Sequence, residues 1–363
     1  MGRALALAAE GDYRTAPNPK VGAVLVREGR VLAEGHHAQA GGPHAEAAAF
    51  AALRSAGTDA RGATLYVTLE PCGPQAGKRT PPCVDAALAA GLARVVAATV
   101  DPHPEVAGRS LARLQAAGVQ VEVGLLHGEA RRLINPFTKW VTRHRPYGVA
   151  KWAMSLDGKI AAASGDSKWI SSEASRRGVH VLRGEVDAVA VGIHTALVDD
   201  PLLTRRDMPG RDPLRVVFDA RARLPLESRL VQTAREHALL VFVTAAAPAD
   251  AVAALRGRDV EVVEVPAREG TVDPAAAFEQ LAERDVRQVL IEGGGTLLAS
   301  AFAEDLVDEV RCYVAPRILG GETAPGPVRG AGVARVADAL SLVELTAEPS
   351  GPDVLLRGYV HVY

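Results

Sequence analysis

Three side chains carry the first chemical signal in this sequence. They are His44 in "GGPHAEAAAF" (41–50) and Cys72 and Cys83 in "LEPCGPQAGKRTPPCVDAAL" (69–88). Zn²⁺ takes histidine and cysteine readily, and a site with three protein ligands keeps a fourth position for water. A closed structural site wants a fourth protein ligand. The only other cysteine, Cys312, lies far downstream in "EVRCYVAPRIL" and reads as a buried strand residue. Glu46 stands two residues after His44, at the start of the same helix. It can face a bound water without ligating the metal. His-x-Glu followed by Pro-Cys is the pattern of zinc-dependent deamination, with the glutamate as proton shuttle. Zinc lowers the pKa of its water toward neutrality, and Glu46 takes that proton to a ring nitrogen and then to the departing amine. His-Ala-Glu alone is common, and two cysteines alone fit a core. The combination carries the reading.

A second signal is "QVLIEGGGTLLASAFAEDL" (288–306), a strand, three glycines, then a helix expected from Thr296. Glycines let backbone N–H groups approach a phosphate, and a helix N-terminus favours an anion. Gly-x-Gly-x-x-Gly is absent, and tight turns also need glycine.

These residues need elements to hold them. Residues 3–11 read as a helix, and 21–37 as two strands around a turn at Glu28-Gly29. Residues 44–57 read as a helix with Gly57 at its C-terminal end, and 63–72 as a strand running into a loop. "PPCVDAALAAG" opens a helix, with proline near its first turn. Strands and helices then alternate to about residue 125, the mark of an α/β unit. "HGEARRLINPFTKWVTRHRPY" (127–147) reads as a helix leading to a basic, Pro-ended linker. A second α/β pattern follows, with strands expected in "YGVAKWAMS", "AVAVGIHT", "LRVVFDA", "ALLVFVT", "VEVVEV", "QVLIEGG" and "EVRCYVAPRIL".

The chain has 363 residues, a length for two domains, with 48% hydrophobic and 23% charged residues. A formal net charge of −2 gives no basic coat for nucleic acid or membrane surfaces. Three cysteines point to a reducing compartment, and no apolar run is long enough to span a bilayer. "ALALAA" near the start is too short for a signal peptide and reads as part of an amphipathic helix. A cytoplasmic enzyme is expected.

Longer matches connect the two signals. "APNPKVGAVLV", "PHAEAAAF", "VTLEPC", "RTPPCVDAAL" and "DPHPEVAGRSLARLQAAGV" resemble the deaminase half of the bifunctional deaminase–reductase family of riboflavin biosynthesis. "AMSLDGKIAAASGDSKWIS" (153–171), "VGIHTALVDDPLLTRR" (191–206) and "IEGGGTLL" resemble its reductase half. Nucleoside and nucleic-acid deaminases usually carry Cys-x-x-Cys, whereas ten residues separate Cys72 from Cys83. The resemblance implies an α/β chain. A cytidine-deaminase-like three-layer α/β/α domain (1–145) precedes a dihydrofolate-reductase-like α/β domain (146–363). It implies one Zn²⁺ per chain, NADPH, phosphoribosylaminopyrimidine substrates and a homo-oligomer, dimer or tetramer.

By the same resemblance, Asn18, His37 and Arg79 contact the first substrate, although Arg79 also fits a solvated loop charge. Ser167, Arg183, Leu203, Arg206 and Glu292 contact the second. Arg183 and Arg206 suit its 5′-phosphate, because a guanidinium fork binds phosphate bidentately. NADPH falls to Ala153, Trp169, Thr195, Asp199 and the loop Gly294, Gly295, Thr296, Leu297 and Leu298. Trp169 also fits a core, and Asp199-Asp200 a turn cap before Pro201. Asp157-Gly158 reads as a tight turn that shapes the site. The chain departs from the family at Pro74, where a substrate-contacting histidine usually stands, in a loop longer than usual. Lys78 is the candidate replacement. Ala153 stands where the family often has glycine.

Three other readings stand beside this one. A nucleic-acid deaminase with an appended module should show a basic face and short Cys-x-x-Cys spacing. A structural zinc fold joined to a nucleotide sensor gives Glu46 no purpose. A reductase whose deaminase is impaired by the altered loop fits every residue.

Overall fold

The first hairpin explains why the site-bearing helix can lie where it does. A computed structural model describes residues 1–74 and 81–363, so Arg79 and Lys78 lie outside the described residues. Strands β1 (Gly22–Arg27) and β2 (Arg30–His36) pair antiparallel. Glu28 and Gly29 close them at φ 51° and 75°, the two positive-φ positions of a tight hairpin turn. β1 also pairs antiparallel with β3 (Thr64–Val67), which continues in parallel to β4 (Arg94–Ala97) and β5 (Gln120–Val123). The sheet order is β2-β1-β3-β4-β5.

Gly22 and Gly35 sit in adjacent cross-strand pairs, so they face opposite sides of the sheet. A Cβ on Gly22 would collide with the Ala4 carbonyl and lie 2.7 Å from the Ala8 nitrogen. A Cβ on Gly35 would lie 2.5 Å from both the Ala45 carbonyl and the Ala49 nitrogen. The helix Gly2–Ala9 therefore packs on one face and the helix Ala45–Ser55 on the other, giving three layers. Leu25, Leu65, Val67, Val95 and Ala97 fill the space between them. Gly22→Ala is expected to cost at least about 1–3 kcal/mol by forcing this helix outward. Calorimetry should show the unfolding transition of this unit lowered and that of the other unit unmoved.

The chain divides into Met1–His144 with Tyr363, and Arg145–Val362. The helix read as leading into a linker runs His127–Arg143 and belongs to the first unit.

In the second unit β6 (Tyr147–Ser155), β7 (Ala188–Gly192), β8 (Leu214–Phe218), β9 (Leu239–Val243) and β10 (Glu261–Glu264) precede a ribbon of β11 (Ala267–Arg268) and β12 (Thr271–Val272). β13 (Gln288–Glu292), β14 (Glu309–Ala315), β15 (Val343–Ser350) and β16 (Asp353–Tyr359) follow. The nine-stranded order is β10-β9-β8-β7-β13-β6-β14-β16-β15. It is parallel through β14 and antiparallel from there to its edge. The inner strands are almost wholly apolar, as strands covered on both faces must be.

Two boundaries differ from expectation. "AVAVGIHT" is not strand throughout. β7 stops at Gly192, and Ile193–Asp199 is helix. The helix after the glycines starts at Gly295, one residue before Thr296, with Gly294 as its N-cap. Among the described residues, no helix is long and apolar enough to cross a membrane.

Candidate active sites

His44 is the N-cap of the helix Ala45–Ser55, and Glu46 lies in its first turn. Cys83 is the first residue of the helix Cys83–Ala89. Cys72 follows the end of β3 through "LEPC", and its carbonyl accepts from the Val84 N–H at 3.2 Å. The three ligand atoms converge within 4.8 Å of one another. His44 Nδ1 lies 3.4 Å from Cys72 Sγ and 3.5 Å from Cys83 Sγ. Zinc–nitrogen and zinc–sulfur bonds arranged tetrahedrally give an N···S edge of about 3.6 Å. The donor set and its spacing therefore fit zinc. The Cys72 contact and burial raise the Cys83 thiol above its ordinary value. The thiolate form thus depends on a cation, which deprotonates a coordinating thiol.

Glu46 is buried beside these ligands. Burial, with the Cys72 sulfur next, raises its carboxyl to about 7. His37 is buried with its Nδ1–H donating to the Pro43 carbonyl at 2.9 Å. Its Nε2 lone pair then accepts from the Asn18 amide at 3.0 Å. Burial lowers the His37 pKa, which keeps that ring neutral. A cavity of about 470 Å³ brings Asn18, His37, His44, Glu46 and Cys72 together.

Three residues of this site escaped the sequence reading. Glu70 accepts four backbone N–H bonds, from Ser110 and Leu111 on one oxygen and Asp101 and Gly108 on the other. It therefore pins the strand-to-Cys72 turn to the start of the helix Arg109–Ala116. Asp101 and His103 line the same cavity from the loop after β4. Burial raises Asp101 to about 6. The Glu105 N–H donates to His103 Nδ1 at 3.2 Å, so the neutral ring keeps its proton on Nε2. The Glu in "LEPC" and the "DPHP" motif were visible in sequence. Their convergence was not.

In the second unit a cavity of about 720 Å³ collects Ala153, Ser167, Trp169, Arg183, Asp199, Arg206 and Glu292. Glu292, at the end of β13, receives Arg183 bidentately at 2.6 and 3.0 Å. Lys151 Nζ lies 3.8 Å from the same carboxylate. Burial alone would raise Glu292, but Arg183 and then Lys151 hold it at about 2. The Arg183 fork is therefore already spent on Glu292 and does not suit the phosphate expected for it. Arg206 is exposed on the cavity rim and has no carboxylate partner among the described residues. Lys151 was not singled out from sequence, because one lysine in "AKWAMS" carries no spacing signal. Burial lowers its pKa.

Trp169 is 58% exposed, which removes the core reading, and the Arg176 guanidinium lies 4.7 Å above its ring. Asp200 accepts from the Arg229 N–H at 2.8 Å, at the start of the short helix Arg229–Gln232 and not at the turn before Pro201. Asp157 accepts from Ser155 Oγ and from the Leu319 and Gly320 N–H groups, and Gly158 follows at φ 80°. The expected turn is there. Cys312 is buried in β14, as read.

The remaining expected cofactor residues fall elsewhere. Gly294, Gly295, Thr296 and Leu297 line a separate cavity of about 420 Å³ at the carboxyl ends of β7, β8 and β13. Gly294, at φ 82°, caps its helix with no side-chain hydrogen bond, which leaves the first N–H groups open to an anion. A Cβ there would come within 3.5 Å of Thr195 Oγ1 and the Gly192 nitrogen. The cradle suits a dinucleotide diphosphate. The helix Ile193–Asp199 begins at this cavity and ends at the larger one. Leu203 and Leu298 are buried and line neither cavity.

Comparisons with known proteins agree with both halves. Residues 1–99 match the model of the cytidine and deoxycytidylate deaminase zinc-binding region. Residues 146–356 match that of the RibD C-terminal domain. The riboflavin biosynthesis protein RibD of Synechocystis is 41% identical over 99% of this chain and 95% of its own length. That of Escherichia coli is 40% identical over 98% and 97%. Among solved structures, a diaminohydroxyphosphoribosylaminopyrimidine deaminase/5-amino-6-(5-phosphoribosylamino)uracil reductase from Thermotoga maritima superposes with a TM-score of 0.82 at 35% identity, covering 99% and 97% of the two chains. Acinetobacter baumannii RibD gives 0.80 at 37% identity with the same coverage. The deaminase signature of the first unit, the reductase match of the second, and the end-to-end likeness lead to one assignment: the chain belongs to the RibD family of bifunctional deaminase–reductases in riboflavin biosynthesis.

Proposed function

We propose that residues 1–145 deaminate 2,5-diamino-6-(5-phosphoribosylamino)pyrimidin-4(3H)-one, and that residues 146–363 then reduce the ribosyl side chain of the resulting uracil to ribityl. The observation that carries the first half is the His44–Cys72–Cys83 triangle, with His44, Cys72 and the buried Glu46 carboxyl lining one cavity. When bound, zinc supplies the Lewis acid that makes water a nucleophile near neutral pH. Glu46 takes the proton of the attacking water, passes it to a ring nitrogen, and returns a proton to the amine that leaves as ammonia. Asn18 and His37 orient the ring, and Asp101 and His103 line the same cavity.

In the second half NADPH supplies the hydride, and the chain supplies orientation and a proton. Glu292, ionised at neutral pH, accepts hydrogen bonds from the sugar and keeps Lys151 in place as the proton-bearing group beside it. Arg206 and Ser167 hold the phosphate end, and Ala153, Trp169 and Asp199 face the nicotinamide end. The Gly294–Leu298 loop and Thr195 hold the diphosphate. A cytoplasmic homo-oligomer completes the reading, supported by the few cysteines and the family likeness.

The test is a split assay on the zinc-loaded chain. Ammonia should appear without NADPH, and NADPH oxidation should follow when cofactor is added. Ammonia release should stop after treatment with a chelator and return with one equivalent of zinc. NADPH oxidation on the deaminated compound should be indifferent to the chelator. Reduction without any ammonia release from the zinc-loaded chain would mean a reductase whose deaminase has been lost. Neither activity would end the proposal.

A further inference from the structure

One wall of the larger cavity in the second unit has no backbone ladder to hold it. Residues 167–171 line that cavity, with Trp169, 58% exposed, in the middle of them. They belong to neither a strand nor a helix. Among the described residues, no backbone–backbone hydrogen bond holds Trp169, Ile170 or Ser171. Downstream the chain is fixed again at Ser172. Its N–H donates to the buried Asp353 Oδ2 at 2.7 Å, and its hydroxyl caps the helix Glu173–Glu185. Upstream, residues 162–166 form a turn closed on itself, the Ala162 N–H donating to the Asp166 carbonyl at 2.8 Å. A segment left between two such points has conformational entropy to lose each time a ligand needs it in one place.

Two arginines from separate elements do what a ladder would. Arg176 lies one turn into the helix Glu173–Glu185. Its Nη1–H donates to the Ser171 carbonyl at 2.6 Å, and its guanidinium lies 4.7 Å from the centre of the Trp169 ring. Arg317, two residues past the end of β14, donates from Nη1 to the Trp169 carbonyl at 2.9 Å. Arg317 is itself held. Its carbonyl accepts from the Leu156 N–H at 2.8 Å, and Asp157 accepts from the Leu319 and Gly320 N–H groups just beyond it. The Asp157-Gly158 turn thus fixes the base from which Arg317 reaches. The segment is gripped at two carbonyls and one ring face.

We propose that Arg176 and Arg317 are positioning residues of the reductase, a clamp that presents residues 169–171, and the Trp169 ring above all, as a preformed wall of the cavity. The inference rests on the reading of the second unit as a reductase of the deaminated compound. Hydride transfer depends on orientation, and a misplacement of about 1 Å costs on the order of 10²-fold. The two arginines have different parts. Arg176 uses its plane as well as its N–H groups, covering the indole while it reaches Ser171, and a lysine cannot reproduce both. Arg317 gives one hydrogen bond, which an ammonium also gives.

The test uses the full-length chain and reads the wall separately from turnover. Arg176→Ala, Arg176→Lys, Arg317→Ala and Arg317→Lys are made alone, and Arg176→Ala also together with Trp169→Ala. Thermal unfolding and ammonia release check that each variant is folded, and both should match wild type. The signal of Trp169 is the difference in fluorescence between each protein and the same protein carrying Trp169→Phe, since Trp140 and Trp152 remain in both. Acrylamide quenching of that signal should rise in both alanine variants. With the uracil compound and NADPH, kcat/KM should fall on the order of 10- to 100-fold in Arg176→Ala. In Arg317→Ala it should fall about 3- to 10-fold, the worth of one hydrogen bond. Arg317→Lys should return to within about 2-fold of wild type, and Arg176→Lys should not. On top of Trp169→Ala, Arg176→Ala should cost less than about 3-fold more, because the ring it holds is gone. Fully additive losses in that double variant would show that Arg176 meets the ligand directly and would overturn the clamp. So would a loss of activity with the quenching of Trp169 unchanged. A wild type that oxidises no NADPH on the uracil compound would instead overturn the reductase reading on which the clamp rests.

Discussion

Glu46→Gln is expected to lower ammonia release by ~10²–10⁴-fold, the usual contribution of a positioned general acid–base group. Zinc content and the reduction of the already deaminated substrate should stay at wild-type levels. The amide matches the carboxyl in shape, and the ligands His44, Cys72 and Cys83 are untouched. What disappears is one movable proton. The wild-type carboxyl is buried beside the metal ligands and can take up and release a proton there. Glutamine cannot. The measurements are ammonia release per bound zinc, and NADPH oxidation on the uracil compound. A variant retaining more than about a tenth of wild-type ammonia release would remove Glu46 from the proton path. If ammonia release and zinc fall together, Glu46 acts by holding the metal site instead.

The same residue shows how much the sequence displays. His44, Glu46, Cys72 and Cys83 are readable because their types and spacing are tied to one kind of chemistry, and each sits where a helix begins or a strand ends. The alternating hairpin, the helix Ala45–Ser55 and the apolar inner strands follow from periodicity. What periodicity misses is equally specific. β15 alternates apolar and polar residues over residues 343–348, yet nearly every one is exposed, so its pattern does not mark a buried face. Ile193 continues the apolar run of β7, so hydrophobicity does not mark the change from strand to helix after Gly192. Glu70 looks like part of a ligand motif, yet its work is to collect four N–H groups from segments about 30 to 40 residues away. Lys151 became a site residue because sheet order carries it to a cavity. Strand order is a property of the whole chain and leaves no local mark. Arg183 was legible as a site residue, but its partner Glu292 lies 109 residues later, and the pairing redirects its role.

That pairing sets the largest expected effect in the second unit. Glu292→Gln leaves Arg183 and Lys151 buried without their counter-charge, and breaking a buried pair in this way costs about 3–5 kcal/mol. NADPH oxidation should fall by about 10²-fold or more, as the loss of a hydrogen-bond acceptor for the sugar adds to the misplacement of Lys151. Ammonia release should be spared. The pH dependence separates charge from packing. The folded carboxyl is held at about 2 against an ordinary 4.5. A depressed acid stabilises the fold above its unfolded pKa and loses that contribution as pH falls through the folded one. The contribution, roughly 3 kcal/mol, is therefore complete above pH ~4.5 and gone near pH ~2. Differential scanning calorimetry across pH 2–7 should resolve the second unit's transition in wild type and variant. The gap in Tm should be constant from neutrality to pH ~4.5 and close steadily below it. A gap that persists unchanged at the acid end would show that Glu292 supports the site by filling space, and the ionic account of Lys151 and Arg183 would fall with it.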